Sequence, residues 1–560
     1  MKQGAFTFVL HSHLPYARKA GRWPHGEEWL HEGAVDTYLP LLAALHDLAA
    51  EGVRYRLTIS ITPVLAEQLA DADVLGHLDA YIDDLCDRAA SDIARSERNG
   101  DDARADVARF YHGRFTWLRD QFRDRFGRDI VGALRWLQDN GYVEIATSAA
   151  THGYLPLLER DSSIYAQVRT GVRTYRRHFG RAPASFWLPE CAYRAAHEDG
   201  GVMRPGLEEF LAAQRITAFF VESHAILGGQ PLGKAAGDAI GPYGEPRRYT
   251  VPGPAGAPTH RTTFQPYWVA RPQVAAIGRN VDTGLQVWSG EHGYPGDFVY
   301  REFHKKDDQS GLHYWRVTGA RVALGDKQLY GPAAAFDRAR DHARHFAALV
   351  GDQVRAYRAS SGRYGIVSAA YDTELLGHWW YEGVTWLQHV LRDLSRSDAV
   401  DMTGAAQFVR EHPPEDVVTL PESSWGRLGT HVTWLNDDTA WMWPVVRAAE
   451  RRMEQLVAGH GAASGDAGAA LAQLGRELLL LQSSDWPFLV TTGQAREYAE
   501  QRFRAHADRF GVLADAVDAG RVDRRQLDEI AELDKLFPDL DIADFTARQG
   551  VAAAPLGAGA

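Results

Sequence analysis

The sequence predicts an α/β protein built on a parallel barrel, with helical parts attached. Three observations lead there. Seven short apolar runs recur at wide spacing, most of them apolar on both faces, as strands buried inside a parallel sheet are. Helical patterns lie between several of them, for example "TYLPLLAALHDLAAEG" (37–52), which ends at a glycine. Strand signals stop near residue 400, and the periodicity beyond is helical.

In order, the runs are "AFTFVLH" (5–11), "YRLTISIT" (55–62), "YVEIATS" (142–148), "ASFWLPE" (184–190), "ITAFFVE" (216–222), "LQVWSG" (285–290) and "YGIVSAAYD" (364–372). Strand and helix in alternation imply a parallel sheet. Seven runs with long connections favour a barrel over an open sheet, and residues 1–400 are assigned to it. One connection is too long for a simple crossover. Residues 71–128 read as charged helices carrying Val107, Phe110, Tyr111, Leu118 and Phe122 at helical spacing, an inserted helical subdomain. Residues 228–260 are rich in Gly, Pro and Ala and read as a long surface loop, a kind that is usually functional or disordered. Residues 401–545 read as a C-terminal helical domain, with helices over 440–458, 466–483 and 494–517 and one stripe of Ala499, Phe503, Phe510 and Leu513. Residues 546–560 read as a disordered tail. No tandem repeat is seen.

The totals bound the function. A chain of 560 residues is too long for one ordinary core, so two or three domains are expected. The net charge of −12 argues against nucleic acid as the main partner, because phosphate binding needs a basic surface; neutral substrates such as sugars remain open. Cys86 and Cys191, the only cysteines, exclude a disulfide framework or a four-cysteine zinc site. The N-terminus lacks a signal-peptide pattern and no stretch approaches a membrane span, so a cytoplasmic, soluble protein is expected. A tryptophan face suits the C–H face of a pyranose as well as it suits a core, and for any single one of the 16 tryptophans core packing is the default.

In a parallel barrel, catalytic groups sit at the C-terminal ends of strands. The first run is followed by His11, His13 and Tyr16, and the third by Ser148, Thr151 and His152. The fourth ends at Glu190, the sixth at Trp288, and the seventh at Asp372, Glu374, His378, Trp379 and Trp380. Two chemistries use such a set. His11 and His13, two apart on a strand, face the same way and with His152 and Asp372 could hold Zn²⁺. Alternatively Glu190 and Asp372 form the carboxylate pair that cleaves a glycosidic bond, with the histidines on sugar hydroxyls. Against both stands the plainer reading of histidines satisfied by the backbone and of Glu190 in a salt bridge.

The motifs "HSHLPY", "EIATSAATHGYLPLL", "FWLPECAY" and "YDTELLGHWWYEG" resemble the first four conserved regions of glycoside hydrolase family 57, and "LPESSWG…HVTWLND" (420–437) is similar to the fifth. The fifth region and the helical C-terminus most resemble the family's 1,4-α-glucan branching enzymes. The resemblance implies a (β/α)₇ barrel with an inserted helical subdomain and a C-terminal helical domain. It implies a retaining mechanism with no metal and no cofactor. Carried over by motif, Glu190 is the nucleophile and Asp372 the general acid/base. His11, His13 and His152 line the donor-sugar subsite, and Trp288, Trp379, Trp425 and Trp434 build the glucan groove. By position, a flexible loop at 228–247 carries Tyr243 to the site, and Asp485 in "SSDWPF" reaches sugar from the helical domain. The implied partner is an α-glucan (amylose, amylopectin or glycogen), with no nucleic acid and no membrane. The near alternatives are an α-amylase or a 4-α-glucanotransferase of the same family. The distant ones are a zinc-dependent carbohydrate hydrolase or deacetylase and a non-catalytic glucan-binding protein.

Overall fold

Seven strands lie parallel around one core: β1 (Gly4–Ser12), β2 (Leu57–Ile61), β3 (Val143–Ser148), β4 (Ser185–Trp187), β5 (Ala218–Val221), β6 (Ala275–Gly278) and β7 (Gly365–Asp372). The computed structural model describes residues 2–228, 261–271, 273–288, 293–319, 322–548 and the backbone of 551–552. The order across the sheet is β7-β1-β2-β3-β4-β5-β6. All nine residues of β1 are buried, because helices cover its outer side and side chains fill the interior. Phe8 stacks on Phe346 at 5.7 Å, and burying each such ring contributes about 1.5–3 kcal/mol.

No ladder joins β6 to β7. The sheet instead runs on from β6 into Tyr267–Val269, antiparallel, and then Val417–Val418. The gap is spanned by single bonds: Asn280 N–H donates to the Ser368 carbonyl at 2.9 Å, and the Tyr371 hydroxyl donates to the Thr283 carbonyl at 2.7 Å. The result is a curled parallel sheet, closed on one side by point contacts.

Two strand expectations need correction. Of the run 285–290, residues 285–288 are not strand but the end of a helix, Val281–Trp288, and the rest lies outside the described residues. Asn280 starts the helix, its side chain accepting the Thr283 N–H at 3.0 Å, as N-cap residues do. The sixth strand is "AAIG" (275–278), whose small residues carry no strand propensity and which pairs because it is buried. Strand structure also continues past residue 400. Val400–Met402 pairs with the start of β1, and Val417–Val418 extends the sheet.

Helices α1 (Ala72–Arg98) and α2 (Asp102–Asp120) form a hairpin on the outside of the sheet. Asp71 and Asp101 cap their N-termini. Glu97 of α1 pairs with Arg109 of α2 at 2.5 Å, and Asp83 of α1 with Arg123, just past α2, at 2.6 Å. After the sheet come α3 (Met442–His460), α4 (Gly465–Leu481), α5 (Asp485–Thr492), α6 (Arg496–Asp518) and α7 (Arg524–Leu533). They have no core of their own. One continuous cluster of buried residues runs from Ala146, Phe186 and Ala218 of the sheet to Leu478, Trp486 and Phe503 of these helices. The expected tail falls mostly outside the described residues; Val551–Ala552 pairs antiparallel with Val202–Arg204. Among the described residues no helix is long and apolar enough to cross a membrane.

The loop after β7 is seated by Gly377. Its φ is +109°, and a Cβ there would lie 2.0 Å from the Asp36 carbonyl oxygen. Only glycine fits that approach. Gly377→Ala is therefore expected to destabilise the protein by about 2 kcal/mol or more and to disturb the Asp372 loop; chemical denaturation beside wild type measures it.

Candidate active site

The strand ends converge. At the end of β1 the alternation turns His11, and His13 just past the strand, to one side, with rings 6.1 Å apart. Register sets His11 beside Asp372 of β7 and beside Ser60 of β2. His152, after β3, adopts φ +56° and lays its ring on His13 at 3.9 Å between centroids. Trp187, the last residue of β4, stacks on His11 at 4.5 Å. Glu190 follows in a turn where both it and Cys191 have positive φ, at 62° and 49°. Side chains rarely adopt that backbone, and such strain persists only where the surroundings impose it. Here they do: Trp425 N–H donates to the Glu190 carbonyl at 3.0 Å, and the Trp425 indole N–H donates to Glu190 Oε2 at 2.6 Å.

Every ring nitrogen of the three histidines has a partner. His11 Nδ1 meets Ser60 Oγ at 3.1 Å, and its Nε2 meets His152 Nε2 at 3.1 Å. His152 Nδ1 meets Ser484 Oγ at 2.8 Å. His13 Nδ1 meets Thr62 Oγ1 at 3.0 Å, and its Nε2 meets Asp485 Oδ1 at 3.0 Å. The helical segment thus supplies two of the polar partners, since Ser484 precedes α5 and Asp485 begins it. Ser484 also lies 3.5 Å from Glu190 Oε1. Burial, and then the neighbouring imidazoles, hold His11 and His152 well below the usual imidazole range, so both are neutral near pH 7.

The carboxyls shift the other way. Burial pushes Glu190 up to about 8; the Trp425 N–H opposes this, and the charges of Asp372 and Asp485 add to it. Burial pushes Asp372 to about 7, against Arg279 and His13. Glu374 rises to about 8 through burial and Asp372, while Tyr38 and the His13 amide, both donating to it, restrain the rise. In the free cleft burial thus holds both carboxyls toward their protonated forms, against different neighbours. Asp372 faces a guanidinium, and Glu190 faces two carboxylates.

Other expected residues separate. Trp288 ends the helix Val281–Trp288, with the Arg279 guanidinium 5.4 Å over its ring and 5.8 Å over that of Trp425. Trp379 is half-buried and stacked on Phe303 at 4.6 Å. Two groove assignments need correction. Trp434 is 0% exposed and stacked on Tyr154 at 4.3 Å, so it supports the site from beneath and lines nothing. Trp425 is buried with its indole committed to Glu190, which makes it a positioning group rather than a plate. Trp380 belongs to the core, beside Trp386. His378 binds Asp36 at 3.0 Å. Tyr243 lies outside the described residues. Sequence reasoning missed Ser60, Thr62, Trp187, Arg279 and Ser484. Ser484 stood next to the flagged Asp485; Arg279 was hidden by the missed strand before it.

The histidines and Asp372 do not converge as a metal-donor set. Among the described residues, the group whose ligand atoms lie within 4.8 Å of one another is Glu477, His506 and Asp534, deep among α4, α6 and the residue after α7. There His506 Nδ1 already pairs with Glu477 at 2.9 Å and Arg509 with Asp534 at 2.7 Å.

Comparison with known proteins places this geometry. Residues 7–286 match the family described as glycosyl hydrolase family 57, and residues 445–545 match the one described as 1,4-alpha-glucan branching enzyme, C-terminal. The chain is 43% identical over 553 residues to a 1,4-alpha-glucan branching enzyme of Thermococcus kodakarensis, covering 97% of this chain and 78% of that one. The crystal structure of that enzyme, in complex with glucose and additives, superposes with a TM-score of 0.88 at 42% identity, over 98% and 97% of the two chains. A GH57-type branching enzyme from Pyrococcus horikoshii gives 0.87 at 41%, over 98% of each chain. The alpha-amylase AmyC from Thermotoga maritima gives 0.82 at 28%, over 98% of this chain and 100% of that one.

The raised Glu190 carries a stability signature. A buried carboxyl whose folded value exceeds its unfolded value stabilises fully below about pH 4.5, and that contribution is lost as pH rises to about 8. Glu190→Gln is thus expected to match wild type near pH 4.5, to become the more stable protein between pH 5 and 8, and to keep a margin of up to a few kcal/mol above pH 8. Thermal denaturation of both proteins across pH 4.5–9 measures it; a margin that grows toward low pH contradicts the burial argument.

Proposed function

The chain belongs to glycosyl hydrolase family 57, and on that premise we propose that it is a 1,4-α-glucan branching enzyme acting through Glu190 and Asp372. The observation that carries the proposal is a pair of partly buried carboxyls, one just past β4 and one at the end of β7, with the charge of Asp372 acting on Glu190. The match of residues 445–545 to the branching-enzyme C-terminal family favours branching within the family.

In this mechanism Glu190 attacks the anomeric carbon as a carboxylate. The glycosidic C–O bond breaks, and Asp372 gives its proton to the leaving oxygen. A glycosyl ester on Glu190 remains. The 6-hydroxyl of a second glucan then attacks the same carbon and Asp372 takes its proton. The ester bond breaks, and two inversions preserve the α configuration. The proton must therefore sit on Asp372 when the donor chain is bound. Positive charge developing at the anomeric carbon, with the Trp425 and Ser484 donors already aimed at Glu190, favours the Glu190 carboxylate and leaves the proton on Asp372.

His11, His13, His152 and Asp485 form the donor-sugar subsite in this reading. Because their nitrogens are already paired, a sugar hydroxyl enters by replacing one partner, for instance in the His11–His152 contact. Trp288 and Trp379 offer apolar faces to the glucan. The likeness to the amylase supports a second reading, in which water takes the acceptor's place and the product is hydrolysed.

Incubation with amylose and linkage analysis tests the proposal. Wild type is expected to form new α-1,6 linkages, and Glu190→Gln and Asp372→Asn each to lose product by at least about a thousandfold. Shortened linear chains without branches would establish the amylase reading, and full activity in either variant would remove that residue from its role.

A further inference from the structure

A cavity of about 300 Å³ lies between the α1–α2 hairpin and the segment around Arg301–His313, away from the two catalytic carboxyls. Tyr81 comes to it from α1 and Tyr111 from α2, Glu28 and Asp36 from the stretch before β2, and Trp23 stands at its rim. The walls are firmly built: Asp307 pairs with Arg95 at 2.8 Å and the Tyr314 hydroxyl donates to Asp92 at 2.6 Å, fixing the segment to α1.

Arg301 faces this cavity at 8% exposure. Its guanidinium lies 3.9 Å over the Tyr381 ring, and no carboxylate of the described residues reaches ion-pairing distance. Asp36 and Glu382 act on it only from further off. The guanidinium hydrogen-bonds with Tyr111, and Asp36 and Glu382 support its charge; with five N–H donors it can also take a hydroxyl at the cavity wall. Trp23 departs from ordinary packing: a large aromatic side chain left 76% exposed at the cavity rim.

The charges choose the ligand. Glu28 and Glu32 are close enough that burial and mutual repulsion raise Glu28, and Asp36 is beside them. An anion would meet these carboxylates. A cation would meet Arg88, Arg301 and Lys306. A neutral polyol meets both with gain, since each hydroxyl accepts from the guanidinium and donates to a carboxylate, while tyrosine and tryptophan faces cover its C–H groups.

We infer that this cavity is a second carbohydrate subsite, which holds a neutral segment of the glucan away from the reacting bond. The inference rests on the glucan reading above. The five-residue helix Ala34–Tyr38 borders both places: Asp36 lines the cavity, and two residues on Tyr38 donates to Glu374 beside the catalytic pair. A long chain held in the cavity therefore gains anchorage that a short one lacks.

The test compares wild type, Arg301→Gln and Trp23→Ala on long amylose and on maltoheptaose. The variants are expected to raise KM for long amylose about tenfold with kcat retained, and to turn over maltoheptaose within about twofold of wild type. Maltoheptaose titrated into Glu190→Gln protein is expected to fill two sites, one of them absent from Glu190→Gln carrying Trp23→Ala. The exposed Trp23 keeps the test open if Arg301→Gln fails to fold. An unchanged KM on long amylose in every variant that folds, or one binding site in both titrations, overturns the subsite. A wild type that fills two sites yet forms no branches supports the subsite and overturns branching instead.

Discussion

The cleft depends on one hydrogen bond, from the Trp425 indole to the Glu190 carboxylate. Glu190 is taken out of water, placed on a left-handed backbone and surrounded by other acids. Each of these costs free energy, and the indole N–H is the strongest opposing interaction at the carboxyl itself. The segment that brings Trp425 is in turn pinned from below. Gly426 has no room for a Cβ, which would lie 2.4 Å from the Trp434 ring, and Trp434 rests on Tyr154. The tryptophans of this segment thus act as a column under a strained carboxylate.

The helices after the sheet complete the same site. Without Ser484 and Asp485, His152 Nδ1 and His13 Nε2 would face the cleft unpaired, and a buried ring nitrogen without a partner costs about 1–3 kcal/mol. The shared apolar core leads to the same conclusion from packing. Sheet and helices are one folding unit around one cleft, whatever boundary the sequence suggests between them.

Cleft and cavity answer the problem of buried charge differently. In the cleft the acids keep protons to near neutral pH, and in the proposed mechanism the proton that Asp372 gives to the leaving oxygen and takes back from the acceptor is what the chemistry uses. In the cavity the buried group is a guanidinium, which has no such exit and is met instead by Tyr111, the Tyr381 ring and the more distant Asp36 and Glu382. The loop after β7, pressed by Gly377 against the Asp36 carbonyl, carries the mechanical connection between the two.

Six of the seven barrel strands were legible in the sequence because burial on both faces leaves an apolar run. The two carboxyls and three histidines were legible because they stand where such runs end. The sixth strand was not, since "AAIG" becomes a strand only through neighbours that cover it. The roles of Trp425 and Trp434 were not, because composition cannot separate a ring that faces sugar from one that grips a carboxylate or fills a floor. Nor were Arg279, Ser484 and the cavity at Arg301, which exist through contacts between distant segments. By itself the sequence determined which groups stand at the rim, since periodicity is a local property of the chain. Only the tertiary structure decided their charge states and partners, because desolvation and hydrogen bonding depend on what the rest of the chain packs around them.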